Sequence, residues 1–338
     1  MSEPFIAVDA VSKRFDPRVS LGDQIAGALG GAVERRYVRA VDGVSLEVAP
    51  GEVLGLVGES GCGKSTLGRM IAGILPPTSG AVRVAGKPVM SPGRHPRKQT
   101  TRVQMVFQDP YASLDPRMRV GDIVAEGPLV HRLVTKADAR AYVANWLTMV
   151  GLDAGAAQRY PHQFSGGQRQ RIAVARALAM RPDALVCDEP VASLDVSIQA
   201  QVLNLFLRLR RELGLTMLFI SHHLGVVRHV SDRVAIMYLG RIVEIGGANA
   251  IYSNPLHPYT KALLASVPQL QLEDGSDVAF APIQGELPSP LSPPPGCHFH
   301  LRCPFAEARC RVDIPDLRPA GDGRWAACHL FEKIAKTV

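Results

Sequence analysis

Apolar positions change their period along this chain. From Ile6 to Phe15 and from Val41 to Val48 they alternate with polar ones, the two-residue repeat of strands with one buried face, which predicts an antiparallel β layer. Between them, Asp16 to Arg36 is glycine-rich and then charged, and reads as a loop or short helix. From Gly51 onward the pattern becomes short solid apolar runs set between longer amphipathic stretches. Glu52 to Val57, Val103 to Phe107, Ala184 to Cys187 and Thr216 to Ile220 read as strands. Leu67 to Leu75, most of Val120 to Val150, Gln170 to Met180 and Ile198 to Leu213 read as helices, two of them stopped by Pro76-Pro77 and Pro182. A further β segment is predicted over Ala81 to Val89, before a polar loop from Ser91 to Thr100. Strands alternating with helices specify a parallel sheet covered on both faces. After Tyr252 prolines crowd the stretch from Pro282 to Pro295, a linker into a small cysteine-bearing tail.

The chemistry sits where strands meet helices. Gly58-Glu59-Ser60-Gly61-Cys62-Gly63-Lys64-Ser65-Thr66 follows one apolar strand and opens a helix. In that context glycines turn backbone N–H groups toward a triphosphate, Lys64 reaches the β/γ oxygens, and Ser65 offers its hydroxyl to Mg²⁺. Ala184-Leu185-Val186-Cys187-Asp188-Glu189 ends an apolar strand on two carboxylates, at the edge where open α/β sheets bind ligands. Asp188 is placed to hold Mg²⁺ and Glu189 to polarise a water for attack on the γ-phosphate. Ser165-Gly166-Gly167-Gln168 heads another helix and forms a second anion site. One chain does not easily wrap both sites around one triphosphate, so the second is expected to close on a partner's nucleotide.

Composition narrows the class. The chain has 338 residues, enough for about two domains, and 46% hydrophobic with 20% charged residues fits a soluble globular protein. No apolar run approaches the ~18 residues that cross a bilayer, and Met1-Ser2-Glu3-Pro4 lacks a secretory start, so a cytosolic chain is expected. The net charge of +7 is scattered, as on a solvated surface, and no nucleic-acid partner is expected.

Three motifs in this order, Gly58 to Thr66, Ser165 to Gln168 and Ala184 to Glu189, resemble the ATP-binding subunits of ABC transporters over nearly all of residues 5 to 260. The resemblance implies an α/β P-loop domain over 5–252, with a parallel core sheet, an antiparallel β subdomain and a helical subdomain at about 109–180. A small cysteine-bearing extension over 253–338 follows. It also implies roles. Gln108 matches the glutamine that contacts Mg²⁺ and links the nucleotide site to the membrane subunit, Asp195 lies in the loop that crosses the dimer interface, and His222 resembles the switch histidine on the γ-phosphate. His223 departs from the family, which usually has aspartate there. An aromatic upstream of the phosphate loop should stack on adenine; Tyr37 and Phe15 are both candidates, with Tyr37 favoured because it lies just ahead of a core strand.

Asn254 to Leu264, Gly285 to Pro290 and Gln108 to Pro116 resemble the oligopeptide, dipeptide and nickel import branch, and Gly61 to Arg69 with the early insertion resembles the second of its two paired ATPases. The implied partners are a different ABC ATPase subunit, two integral membrane permease subunits and, indirectly, an extracytoplasmic substrate-binding protein. The implied place is the cytoplasmic face of the inner membrane. Within this branch peptide is the implied cargo, with nickel and glutathione-like solutes as alternatives. His257-Pro258-Tyr259 is read as structural, a turn that starts a docking helix.

Cys297, Cys303, Cys310 and Cys328 are spaced C-x5-C-x6-C-x17-C in a tail with little apolar material, which calls for a staple. Disulfides do not suit reducing cytosol. Zinc usually shows Cys-x-x-Cys pairs, although His298, His300 and His329 would complete a mixed site. Four cysteines with a Cys303-Pro304 step suit a [4Fe-4S] cluster, and similar tails in the peptide-importer branch imply the same. The tail lies far in sequence from Lys64 and Glu189, so a structural or regulatory role is expected.

Overall fold

The computed structural model describes residues 3–16, 37–266 and 283–335. The insertion read as a loop or short helix lies, apart from Asp16, outside the described residues. Two sheets make the frame. The smaller is antiparallel, in the order β2-β1-β4-β5, with β1 (Ile6–Phe15), β2 (Val38–Val48), β4 (Ser79–Val84) and β5 (Lys87–Pro88). The larger runs β11-β12-β10-β9-β3-β8-β7-β6. Its parallel centre consists of β9 (Arg233–Tyr238), β3 (Val53–Val57), β8 (Thr216–Ser221), β7 (Ala184–Asp188) and β6 (Val103–Val106). In β3, β7 and β8 every residue is buried, which explains their solid apolar composition: both faces are covered, so no alternation is required.

Helices supply that cover. On one face α1 (Lys64–Ile71) lies against β7 and β8, and Gly68 permits the approach, since a Cβ there would sit 2.7 Å from Ile220 Cδ1. This face joins the antiparallel layer in one core built on Val8, Leu46, Leu56, Leu67 and Ile220. The second core covers the opposite face with α2 (Val120–Val130), α3 (Ala139–Met149), α4 (Gly166–Leu178), α5 (Val196–Leu213) and α6 (Leu224–Val230).

The structure departs from the periodicity in three places. The stretch 120–150 is two helices, because the chain turns at Arg132 (φ 58°) before restarting at Ala139. α4 begins at Gly166, four residues before the predicted start, because Ser165 and Gln168 exchange capping hydrogen bonds that satisfy the first-turn amides. The sheet is also mixed: β10 (Arg241–Gly247) turns back antiparallel to β9, and the tail adds β12 (Trp325–Ala326) and β11 (Arg318–Pro319) beyond it. Neither the β9–β10 hairpin nor the tail strands were signalled by the pattern; the tail strands are two residues each, too short to show a period.

Candidate nucleotide site and cysteine pocket

β3 ends at Val57 and α1 starts at Lys64, leaving Gly58 to Gly63 as the loop. Only glycine fits at Gly63: its φ is 107°, and a Cβ would fall 2.0 Å from the Ala40 carbonyl oxygen. Lys64 is 4% exposed, and its Nζ donates to the carbonyl oxygens of Gly58 (2.7 Å) and Glu59 (3.0 Å). The ammonium is thus held against the first turn of the loop. Ser60 and Gly61 are exposed on the rim, Thr66 is half-buried, and the Cys62 side chain is buried beneath the loop, where desolvation pushes its thiol pKa up.

Ser65 Oγ donates to Asp188 Oδ1 at 2.7 Å, tying the loop to the end of β7. Burial pushes the Asp188 carboxyl above its ordinary value, opposed by the Ser65 hydroxyl and by the Arg69 and Lys64 cations. Next in sequence, Glu189 has a left-handed backbone (φ 46°), and its N–H donates to the Ile220 carbonyl of β8. That turn aims the carboxylate at two neighbours. Gln108, just beyond β6, donates to Glu189 Oε2 at 2.8 Å, and His222, just beyond β8, places Nδ1 3.1 Å from the same oxygen. Lys64, Ser65, Gln108, Asp188, Glu189 and His222, read separately from four motifs, therefore converge at the carboxyl ends of adjacent strands. His223 heads α6 and makes no side-chain cap, while its N–H donates to Ser221 Oγ.

Ser165 and Gln168 are exposed and bond each other: Ser165 N–H donates to Gln168 Oε1 at 3.0 Å, and Gln168 N–H donates to Ser165 Oγ at 3.4 Å. Gly166 sits beside Leu194, and Gly167 is packed so tightly against α5 that a Cβ would lie 2.4 Å from Ile198 Cγ2. Asp195, the N-cap of α5, is exposed, and Val196 beside it is 82% exposed, an apolar side chain left in water on the same face. Phe15 and Tyr37 lie together, since Phe15 pairs with Val38 across β1 and β2. The Tyr37 ring is covered by the guanidinium groups of Arg14 and Arg39, whereas Phe15 is 40% exposed with Lys13 over its ring.

Two residues of this region carried no sequence signal of a contact with the phosphate loop. Tyr259, in α7 (Pro258–Ala265), accepts a hydrogen bond from the Glu59 N–H at 2.9 Å. Arg302, from the cysteine tail, forms a two-pronged ion pair with Glu59 (2.8 and 3.1 Å) and reaches Tyr238 Oη. Its side chain is 4% exposed; burial works against its charge, and Glu59 and Tyr238 more than offset this. No local pattern links Arg302 to a residue 243 positions earlier.

Cys297, Cys303, Cys310 and Cys328 line one small pocket beside His257 and Pro258. Burial, reinforced by the neighbouring thiols, pushes Cys297 up to about 11 and Cys328 up to about 12. Among the described residues no group of three or more His, Cys, Asp or Glu is arranged to hold a metal ion, and no described helix is long and apolar enough to cross a membrane.

A P-loop at the carboxyl edge of a parallel sheet, with carboxylates at the neighbouring strand ends and an exposed second glycine-headed helix, is the arrangement of the ABC ATPases. The ABC transporter family profile matches residues 41–192. CbiO1 of Clostridium perfringens, part of the ABC transporter complex cbiONQ, is 25% identical with a TM-score of 0.58, over 75% of this chain and 92% of that one. The ATP-binding cassette MJ0796 shares the fold (24% identity, TM-score 0.58). The chain belongs to the ABC transporter ATPase family. Its extension places it further, because the profile of the oligopeptide/dipeptide transporter C-terminal region matches residues 243–310. It is similar to the di/tripeptide transport ATP-binding protein DppF of Pseudomonas aeruginosa, with 52% identity over 88% of this chain and 91% of that protein. The oligopeptide transport ATP-binding protein AppF of Bacillus subtilis is 49% identical over 87% and 90%, and a putative peptide import ATP-binding protein of Brucella abortus is 49% identical over 97% and 95%.

Proposed function

We propose that this chain is the ATP-hydrolysing subunit that powers import of di- and oligopeptides through an ABC transporter. The reading is carried by one conjunction: an ABC nucleotide site on the same chain as the C-terminal region of the peptide-transporter branch. Lys64 and the loop amides bind the triphosphate. Ser65, Asp188 and Gln108 offer hard oxygen donors of the kind Mg²⁺ takes, and the ion, when bound, neutralises charge on the β- and γ-phosphates. Glu189 accepts a proton from the attacking water, and His222 stands at the γ-phosphate end. One of the two aromatics ahead of the phosphate loop, Tyr37 in preference to Phe15, is the adenine platform.

Ser165 to Gln168 complete the site of a second, different ATPase subunit, and Asp195 with the exposed Val196 belongs to that interface. ATP favours the closed pair and ADP the open one, and this difference in affinity is what moves two permease subunits. A groove of about 640 Å³, lined in part by Phe107, His131, Arg176 and Met180, includes the residue next to Gln108 in the chain and is the place for the permease contact. The chain is then a peripheral protein on the cytoplasmic face of the membrane, with an extracytoplasmic binding protein selecting the cargo.

Deleting this chain should abolish uptake of a labelled dipeptide, and re-expression should restore it together with co-purification of integral membrane subunits. Loss of nickel or glutathione uptake with dipeptide uptake intact would reassign the cargo.

Four thiols around one pocket are also the donor set that a [4Fe-4S] cluster would take. We propose that the pocket holds such a cluster, with zinc or no metal as the alternatives. Anaerobically purified protein should be brown, absorb broadly near ~400 nm and lose iron when any one of the four becomes serine; a colourless, zinc-loaded protein would overturn the assignment.

A further inference from the structure

A carboxylate is an unfavourable neighbour for a triphosphate, yet Glu59 stands inside the phosphate loop, and its own carbonyl oxygen holds Lys64 Nζ at 3.0 Å. Its charge is met from outside the core. Arg302 lies in a single helical turn (His300–Arg302) of the tail, between Cys297 and Cys303. Phe299, one turn earlier, is fully buried against Tyr238 and Tyr259, so the backbone that carries Arg302 is anchored by an aromatic cluster rather than left loose on the surface. The guanidinium grips both Glu59 oxygens, a geometry that offsets part of the carboxylate charge felt by a ligand at the loop.

From this geometry we infer that Arg302 is a positioning and charge-compensating residue for ATP binding. The tail offsets the Glu59 charge and fixes the first turn of the phosphate loop, so the loop becomes fully receptive to a polyphosphate only when the tail is seated. The inference rests on reading Gly58 to Thr66 as the ATP cradle. It gives the tail a direct part in nucleotide binding, where its distance in sequence suggested none. One peptide bond separates Arg302 from Cys303, so any rearrangement of the cysteine pocket is delivered to the loop through this side chain.

A simple docking contact and a charge-compensating one predict different double mutants. The measurement is ATP affinity of the full chain by calorimetry, with KM for ATP of the assembled transporter beside it. Arg302→Gln strips Glu59 of its partner and should weaken ATP binding about fivefold or more while leaving kcat within about twofold. Glu59→Gln alone leaves Arg302 as a free cation beside the loop and should tighten binding about twofold. Combining the two should return affinity to within about twofold of the wild type, and raising the salt concentration should shrink all these differences. Normal ATP binding by a folded Arg302→Gln chain, or a double mutant as weak as Arg302→Gln, overturns the inference. Should Arg302→Gln fail to fold, Glu59→Gln decides alone: tighter binding supports compensation, and unchanged or weaker binding rejects it. Lys64→Ala is the control for the cradle. If it loses ATP while Arg302→Gln does not, only the role of Arg302 falls; if it binds ATP normally, the cradle falls and the inference with it.

Discussion

Glu189 is held by its backbone before it is held by any partner. A left-handed φ of 46° is costly for a side chain with a Cβ, on the order of 1 kcal/mol or more, and it persists because the Ile220 carbonyl fixes the Glu189 amide. Its position is therefore insensitive to the chemistry of its tip. Glu189→Gln should keep ATP affinity close to wild type, accumulate a closed dimer, and lower turnover by about 10²-fold or more, because an amide accepts no proton from water. Lys64→Ala should act at the opposite stage, raising KM and the dissociation constant for ATP by loss of a charge-assisted contact. ATPase kinetics beside equilibrium nucleotide binding separate the two, and rapid turnover by Glu189→Gln would remove it from catalysis. These residues were legible in the sequence because each lies within a few positions of a strand end. Arg302 and Tyr259 were not, since their partner Glu59 is remote in the chain and contact across such a distance leaves no local trace.

At the scale of elements, α7 was read as a turn and a docking helix, and its start is built on that logic: Pro258 occupies the first turn, and His257 Nδ1 caps the helix by accepting from the Tyr259 N–H. The cap is fully buried, and desolvation lowers the His257 pKa to about 3 from the usual ~6.5. A depressed pKa means that protonation favours the unfolded chain. The stability His257 supplies is complete above pH ~6.5 and drains away as pH falls toward about 3, by up to ~1.4 kcal/mol per pH unit. His257→Asn keeps a capping oxygen but removes the titration. Thermal melts from pH 7.5 to 4.5 should show a small loss at neutral pH, near ~1 kcal/mol, and a shallower decline below pH 6.5 than the wild type. Parallel declines would mean that other groups govern acid sensitivity. The helix start was readable from His257-Pro258-Tyr259; the His257 cap and its burial were not, because the burial depends on β10 and the tail closing over it.

The molecule as a whole was legible wherever a segment is buried on both faces or carries a phosphate motif, as in β3, β7 and β8. It was illegible at the seam between core and extension. A boundary near residue 253 follows from the change of composition after Tyr252, whereas the contacts cross it: Glu244 of β10 receives the Leu256 and His257 amides and pairs with Arg324 at 2.9 Å, and Trp325 aligns with Ile245 across β12 and β10. The match to the oligopeptide/dipeptide transporter C-terminal region starts at residue 243, inside the sheet. Glu244 is fully buried, so separating it from Arg324 strands a carboxylate at a cost of roughly 3–5 kcal/mol. For the lineage this makes the last core strand and the extension a single heritable cassette: an exchange between paralogous ATPases that breaks at residue 253 parts Glu244 from Arg324, while one that breaks ahead of β10 hands the pair on intact.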